Sequence, residues 1–182
     1  ITVNESKKVF EEVRKSLDAE GIAYDRDICV GAMVEVPSAA LIAEDLAEYV
    51  DFFSIGTNDL VQYTMAADRG NDSVAYLYQP LNLAIIKLVS MTVAAAKKKG
   101  IPVSVCGESA SDPVAGVLWA ALGVDTLSIS PNYVAMMANV LSRLNRAELD
   151  EFAKVPFSLP SGSTAAQVYD ACREWLEGRI SD

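Results

Sequence analysis

Glu35, Asn58, Asp59, Arg69 and Cys106 are the residues of this sequence whose types and placement could do chemistry. Glu35 closes the apolar run "ICVGAMVEV", Asn58 and Asp59 follow "DFFSIG" through a Gly-Thr turn, and Cys106 closes "IPVSVC". An ionised carboxylate at the end of a buried run needs an ion-pair partner or a cation. Two carboxylates on adjacent strand ends suit Mg²⁺, which takes one or two protein carboxylates and completes its shell with water and phosphate oxygens. Arg69, between Asp68 and Asp72, could grip a phosphate or carboxylate through two parallel hydrogen bonds. A thiol placed over a reacting carbon can move a proton.

Each of these residues also has a plain structural reading. Glu35 could sit in a salt bridge or a solvated strand end. Asp59 could cap the short helix "DLVQYTM". Arg69 could pair with its flanking aspartates on the surface. Cys106 could be small packing filler. Cys29 and Cys172 read as core residues, and Lys97 to Lys99 as a solvated helix end.

The elements that must carry these residues follow from periodicity and punctuation. Residues 5 to 19 place Val9, Phe10, Val13 and Leu17 on one helical stripe. A loop leads to a strand over 28–36, and Pro37 opens a helix on which Ile42, Leu46 and Tyr49 repeat. "DFFSIG" is a second strand, and residues 56–82 form a long, polar, mixed connection. A helix with Ile86, Val89 and Val93 inward ends in three lysines and Gly100. "IPVSVCG" is a third strand, followed by a helix with Asp112 as N-cap, Pro113 in its first turn and Gly123 as its stop. "VDTLSIS" is a fourth strand, and Pro131 opens a helix to about Arg143. Asn145 with Glu148 resembles a capping box. Residues 156–162 read as a linker, and Thr164 with Gln167 caps a last helix carrying Val168, Cys172 and Trp175.

Alternation of short apolar strands with helices predicts a parallel α/β sheet. No GxGxxG follows a strand, so a dinucleotide fold has no support. Polar groups gathered at several different strand ends match the (β/α)₈ TIM-barrel pattern, which takes roughly 250 residues. The 182 residues here carry four βα units, so the expected fold is a half barrel. We divide this single domain into a leading helix and loop (1–27), four βα units (28–143) and C-terminal helices (144–182).

The totals bound the partners. A net charge of -10 argues against nucleic acid, which needs a basic face, and against an anionic membrane surface. It leaves room for an anionic small substrate, because a metal ion reverses the local sign. No apolar run reaches the roughly 18 residues of a membrane span. Cysteines number three, well separated and without a CxxC, which suggests a reducing cytoplasm rather than a disulfide framework or zinc. Histidine is absent, which removes Ser-His-Asp and Cys-His catalysis from this chain. Because it begins at Ile1, we expect a piece of a longer protein.

The blocks "MVEVPSAA", "DFFSIGTNDLVQYTMAADRGND", "LYQP" and "VCGESASDP", in that order, resemble the C-terminal barrel of enzyme I of the bacterial phosphotransferase system, the phosphoenolpyruvate–protein phosphotransferase family. The resemblance runs from about residue 6 to 178. It implies that Glu35 and Asp59 are Mg²⁺ ligands, Asn58 contacts the phosphate of phosphoenolpyruvate, and Arg69 is one of the anion-binding arginines. It implies that Cys106 is the general acid that exchanges a proton with C3 of the pyruvate enolate. The pattern departs at Ser109, where the family usually carries a bulkier residue, so packing behind Cys106 is expected to differ.

The same resemblance implies partners beyond this sequence. The phosphoryl acceptor is a histidine on a separate N-terminal domain, which hands the group to a phosphocarrier protein such as HPr. The other phosphate-clamping arginines belong to the first half of the barrel. The isolated chain is therefore expected to be inactive in phosphoryl transfer. Two open sheet edges and a bare apolar flank predict self-association, with a homodimer expected. Alternatives are a fragment of pyruvate phosphate dikinase or phosphoenolpyruvate synthase, and a non-catalytic dimerisation or interaction module. A Schiff-base aldolase is the weakest option, because no lysine stands at a strand end.

Overall fold

The computed structural model describes residues 3–180. The four apolar runs form strands β1 (Ala32–Val34), β2 (Phe53–Gly56), β3 (Val103–Cys106) and β4 (Thr126–Leu127). They make one sheet in the order β1-β2-β3-β4, with every neighbouring pair parallel and no reversal of order. Each parallel pair needs a crossover, and helices supply them. These are α2 (Pro37–Leu41) and α3 (Ala43–Ala47) after β1, α4 (Thr57–Met65) and α5 (Leu83–Lys99) after β2, and α6 (Pro113–Leu122) after β3. α1 (Val3–Glu20) precedes the sheet, and α7 (Pro131–Ser142), α8 (Arg146–Phe152), α9 (Val155–Ser158) and α10 (Ala165–Ile180) follow it.

Strand register sorts the side chains onto two unlike faces. Val34, Ile55, Val105 and Leu127 lie in one row, and Ala32, Phe53 and Val103 in the next row on the same face. Val34, Phe53, Ile55 and Val105 are completely buried and Val103 is 1% exposed. This face carries the helices. The alternate row is Met33, Ser54, Ser104 and Thr126, with Gly56 beside Cys106 at the strand ends. Met33 is 50% exposed, and no side chain of this row is fully buried. A single chain thus builds one apolar face and one bare, mostly polar face.

Local chemistry fixes the helix ends. The Asn82 side chain accepts from the Ala84 N–H at the start of α5, and Gly100 closes that helix in the left-handed region at φ 79°. Asp112 accepts from the N–H groups of Val114 and Ala115 at the start of α6. Asn145 and Glu148 complete the reciprocal capping box of α8. Thr164 Oγ1 accepts from the Gln167 N–H, whose Oε1 in turn accepts from the Thr164 N–H, at the start of α10. α10 buries Val168, Cys172 and Leu176. Trp175 stacks on Phe152 of α8 with ring centroids 4.9 Å apart. Burying a side chain the size of Phe152 contributes about 1.5–3 kcal/mol, so this packing holds the C-terminal helices to α6.

Several expectations change in the structure. The first strand covers three residues, not the whole of 28–36, because β1 is an edge and the residues before it pair only sparsely. Cys29, expected in the core, is exposed for the same reason. The helix after Pro37 breaks at Ile42, and Ile42 and Tyr49 are 50% and 44% exposed. Ala40, Ala43 and Ala47 face the core instead, small enough to let α2 and α3 lie close against α5. α1 forms as expected, yet none of its residues is buried. Part of the expected linker over 156–162 is helical, since α9 spans Val155–Ser158. The short helix expected inside the connection over 56–82 forms as α4 but starts two residues earlier, at Thr57. Lys98 and Lys99 reach Glu44 and Glu48 across the exposed surface, so the lysine run is solvated but partly paired.

Candidate active site

The polar groups meet at the C-terminal ends of β1, β2 and β3. Glu35 leaves β1 beside Gly56, the last residue of β2 and the N-cap of α4. A Cβ on Gly56 would stand 3.0 Å from Glu35 Cβ, 3.1 Å from Glu35 Oε2 and 3.1 Å from Met33 Sδ. Glycine at this position therefore lets the Glu35 side chain lie against the end of β2. Among the described residues no hydrogen bond or ion pair holds the Glu35 carboxylate, so its salt-bridge reading has no support. Asp59 is not the N-cap of α4. That position is Gly56, and Asp59 falls in the first helical turn, where a carboxylate is favoured by the helix dipole.

Cys106 ends β3 on the polar face and is partly accessible. The Ser54 hydroxyl lies 3.7 Å from its sulfur as a donor, and the thiol faces the Ile55 carbonyl at 3.6 Å and Met33 Sδ at 3.9 Å. The thiol therefore stands over the sheet end with only weak, long contacts around it. Immediately beyond it, Gly107 takes φ 107° and ψ 175°, which only glycine adopts readily. A Cβ there would meet Thr57 Oγ1 at 2.5 Å and Asn58 Oδ1 at 2.9 Å. The turns after β2 and β3 therefore touch backbone to side chain.

Asn58 Oδ1 accepts two hydrogen bonds, from the Tyr78 hydroxyl at 2.9 Å and from the Glu108 N–H at 3.1 Å. Its Oδ1 is thereby committed to two donors, and the amide Nδ2 is the side chain's remaining donor. Burial first, and then the Glu108 charge, raise the Tyr78 pKa above its ordinary 10.0; Arg69 opposes them by charge and hydrogen bonding, and Asp59 adds to the rise. The phenol thus stays protonated and donates. Arg69 is exposed, and its backbone N–H is held by Gln62 Oε1 at 3.2 Å. No ion pair ties its guanidinium to Asp68 or Asp72 among the described residues. Tyr78 is thus hydrogen bonded to Asn58 and within electrostatic reach of Asp59, Arg69 and Glu108. Glu35 and Cys106 stand at the same C-terminal end of the sheet, linked through Gly56 and Met33.

Among the described residues no group of three or more His, Cys, Asp and Glu side chains is gathered for a metal. The carboxylate oxygens of Glu35 and Asp59 are the kind of donor Mg²⁺ takes, and Mg²⁺ keeps most of its shell for water and phosphate. Tyr78 is the site residue that pattern reading missed. It lies inside "LYQP", where a tyrosine in a polar connection could have been flagged by its place between two strand-end loops. Thr57, fully buried yet polar, was missed as well.

Comparison with known proteins places these features. Residues 2–146 match the family model described as PEP-utilising enzyme, PEP-binding domain. The chain is 42% identical over 171 residues to the phosphoenolpyruvate-protein phosphotransferase of Streptococcus equinus, an alignment covering 94% of this chain and 29% of that protein. It is 44% identical over 176 residues to the protein of the same name from Bacillus subtilis, covering 95% and 30%. With the corresponding protein of Mycoplasma capricolum it shares 44% over 140 residues, covering 77% and 24%. The chain spans less than a third of the length of these relatives. Four parallel strands with polar side chains at one end, and a sequence matched over most of its length, identify this chain as a member of the PEP-binding domain family of PEP-utilising enzymes.

Proposed function

We propose that the chain is the C-terminal part of the phosphoenolpyruvate-binding barrel of a phosphoenolpyruvate–protein phosphotransferase. The observation that supports this reading is the placement of Glu35, Asn58 and Cys106 at the C-terminal ends of three neighbouring strands, with Asp59 one residue past Asn58 and Arg69 acting on Tyr78, the hydrogen-bond partner of Asn58. That is where barrels of this kind keep their chemistry. The unreversed strand order and the single helix-covered face suit half of a (β/α)₈ barrel, with residues 1–27 leading, 28–143 forming four βα units and 144–182 adding the C-terminal helices. The names of the relatives favour this reading over a dikinase, a synthase or a non-catalytic module.

The reaction divides among the residues as follows. The phosphoryl group leaves the C2 oxygen of phosphoenolpyruvate for a histidine of another domain, since this chain has none. The bond pair stays on oxygen and leaves the enolate of pyruvate. Glu35 and Asp59 would hold Mg²⁺, which when bound supplies positive charge to the enolate oxygen and the phosphoryl group. Asn58, fixed by Tyr78 and by the Glu108 N–H, offers its amide to a phosphate oxygen. Arg69 adds an opposing charge. Cys106 gives its thiol proton to C3 of the enolate, completing pyruvate, and regains one from water. The acceptor histidine then passes the phosphoryl group to a phosphocarrier protein such as HPr.

No helix among the described residues is long and apolar enough to cross a membrane. The proposed setting is the cytoplasm, and the proposed assembly is a homodimer, because β1 is an open edge and α1 buries none of its residues. Incubation with radiolabelled phosphoenolpyruvate tests the division of labour. The isolated chain should acquire no stable label; label on it would contradict the reading. Light scattering tests the assembly, and a monodisperse monomer would count against it.

A further inference from the structure

Behind Cys106 runs a chain of buried hydrogen bonds that joins α6 and the turns after β2 and β3. The Trp119 indole N–H donates to Ser109 Oγ at 3.2 Å. The Ser109 hydroxyl donates to Thr57 Oγ1 at 2.9 Å, and the Thr57 hydroxyl donates to the Cys106 carbonyl oxygen at 2.9 Å. Trp119 and Thr57 are completely buried and Ser109 is 4% exposed. An indole N–H can only donate and a carbonyl oxygen can only accept. The two hydroxyls between them therefore have one orientation available, and the chain has a fixed direction that ends on Cys106. Bonds aligned in this way in a dry interior strengthen one another.

The chain grips Cys106 by its backbone, one bond away from Gly107. At Gly107 the backbone takes a conformation open to glycine, and a Cβ added there would run into Thr57 Oγ1 and Asn58 Oδ1. The same hydroxyl of Thr57 therefore sets both the carbonyl of Cys106 and the space into which the next residue turns. Ser109 supplies the small hydroxyl that bridges the indole to Thr57.

We propose that Trp119, Ser109 and Thr57 are positioning residues for Cys106, holding its carbonyl so that its thiol stays over the strand ends beside Ser54 and Met33. Their relevance to catalysis rests on the reading of Cys106 as the proton donor; the effect on the thiol does not.

Peptide-resolved alkylation of the 182-residue chain by iodoacetamide, at one pH, reads the thiol directly. Exposed Cys29 serves as an internal standard and buried Cys172 as a reporter of global opening. Thr57→Val, which removes the bond to the Cys106 carbonyl, should raise the Cys106 alkylation rate about threefold to tenfold, the factor expected for that one contact, and Ser109→Ala should raise it in the same direction. Cys29 should keep its rate, Cys172 should stay protected, and Thr57→Ser, which restores a hydroxyl, should return Cys106 to the wild-type rate. If circular dichroism finds either variant unfolded, Trp119→Phe keeps an aromatic ring in the core, removes the first donor and should shift Cys106 in the same direction. Unchanged Cys106 rates in the folded variants, or equal rises at Cys106 and Cys172, would overturn the proposal. Alkylation does not depend on turnover, so a failure of phosphoenolpyruvate binding would sink the functional reading and leave this result standing.

Discussion

Replacing Gly107 by alanine tests whether the turns after β2 and β3 are one interlocked unit. Two costs are separable in the structure. The backbone at φ 107° and ψ 175° lies in a region that only glycine enters freely, which costs a side chain about 1–3 kcal/mol. The new Cβ would also stand 2.5 Å from Thr57 Oγ1 and 2.9 Å from Asn58 Oδ1. Thr57 cannot yield easily, because it is completely buried and hydrogen bonded to both Cys106 and Ser109. Overpacking of this kind costs about 1–3 kcal/mol. Gly100→Ala is the control: its φ is 79° but nothing lies within 4 Å of its Cβ, so only the backbone cost of about 1–2 kcal/mol applies. Thermal unfolding should therefore place Gly107→Ala below Gly100→Ala by about 2 kcal/mol, roughly 4–8 °C for a chain of this size. Equal melting temperatures for the two variants would refute the interlocked turn.

Tyr78→Phe removes the donor to Asn58 Oδ1 while leaving the Glu108 N–H in place. Calorimetric titration of Mg²⁺-phosphoenolpyruvate should weaken about threefold to tenfold, with the melting temperature shifting little; an unchanged affinity would remove Tyr78 from the site. Burial raises the Cys172 thiol from its ordinary 9.0 to about 12. The folded state therefore holds that proton longer than the unfolded state, and stability is lost as pH rises from about 9 towards about 12. Urea unfolding across that window should show a shallower loss for Cys172→Ala than for the parent chain, and parallel curves would contradict the burial argument.

Strand and helix alternation was legible because Pro and Gly punctuate the chain at the right places, as at Asp112-Pro113 and Gly123 around α6. The capping box at Asn145 and Glu148 could be read from residue types alone, because its partners are local. What escaped depended on tertiary position. Cys29 sits in an apolar run, yet it lies ahead of β1, before the strand pairing begins at Ala32, and stays exposed. The inward stripe of Ala40, Ala43 and Ala47 is invisible to a search for large apolar residues. It was chosen for close approach rather than for hydrophobic mass. Asp59 reads locally as a cap, but Gly56 takes that role because the strand turns directly into α4.

The candidate site followed the same division. Glu35, Asn58, Asp59 and Cys106 could be found because each stands just past an apolar run. Tyr78 could not, because its meaning comes from Asn58, twenty residues away in sequence and 2.9 Å away in space. Thr57, Ser109 and Trp119 are polar atoms inside the core, and only the fold reveals which of them meet.

The central claim is that these strand ends bind phosphoenolpyruvate through Mg²⁺. Isothermal titration of the chain with phosphoenolpyruvate, with and without Mg²⁺, tests it most directly, alongside Glu35→Gln and Asp59→Asn. The account predicts Mg²⁺-dependent binding that each substitution weakens at least about tenfold, the loss of one charge-assisted contact. Binding that ignores both Mg²⁺ and the two carboxylates, or no binding by a chain that circular dichroism finds folded, would contradict it.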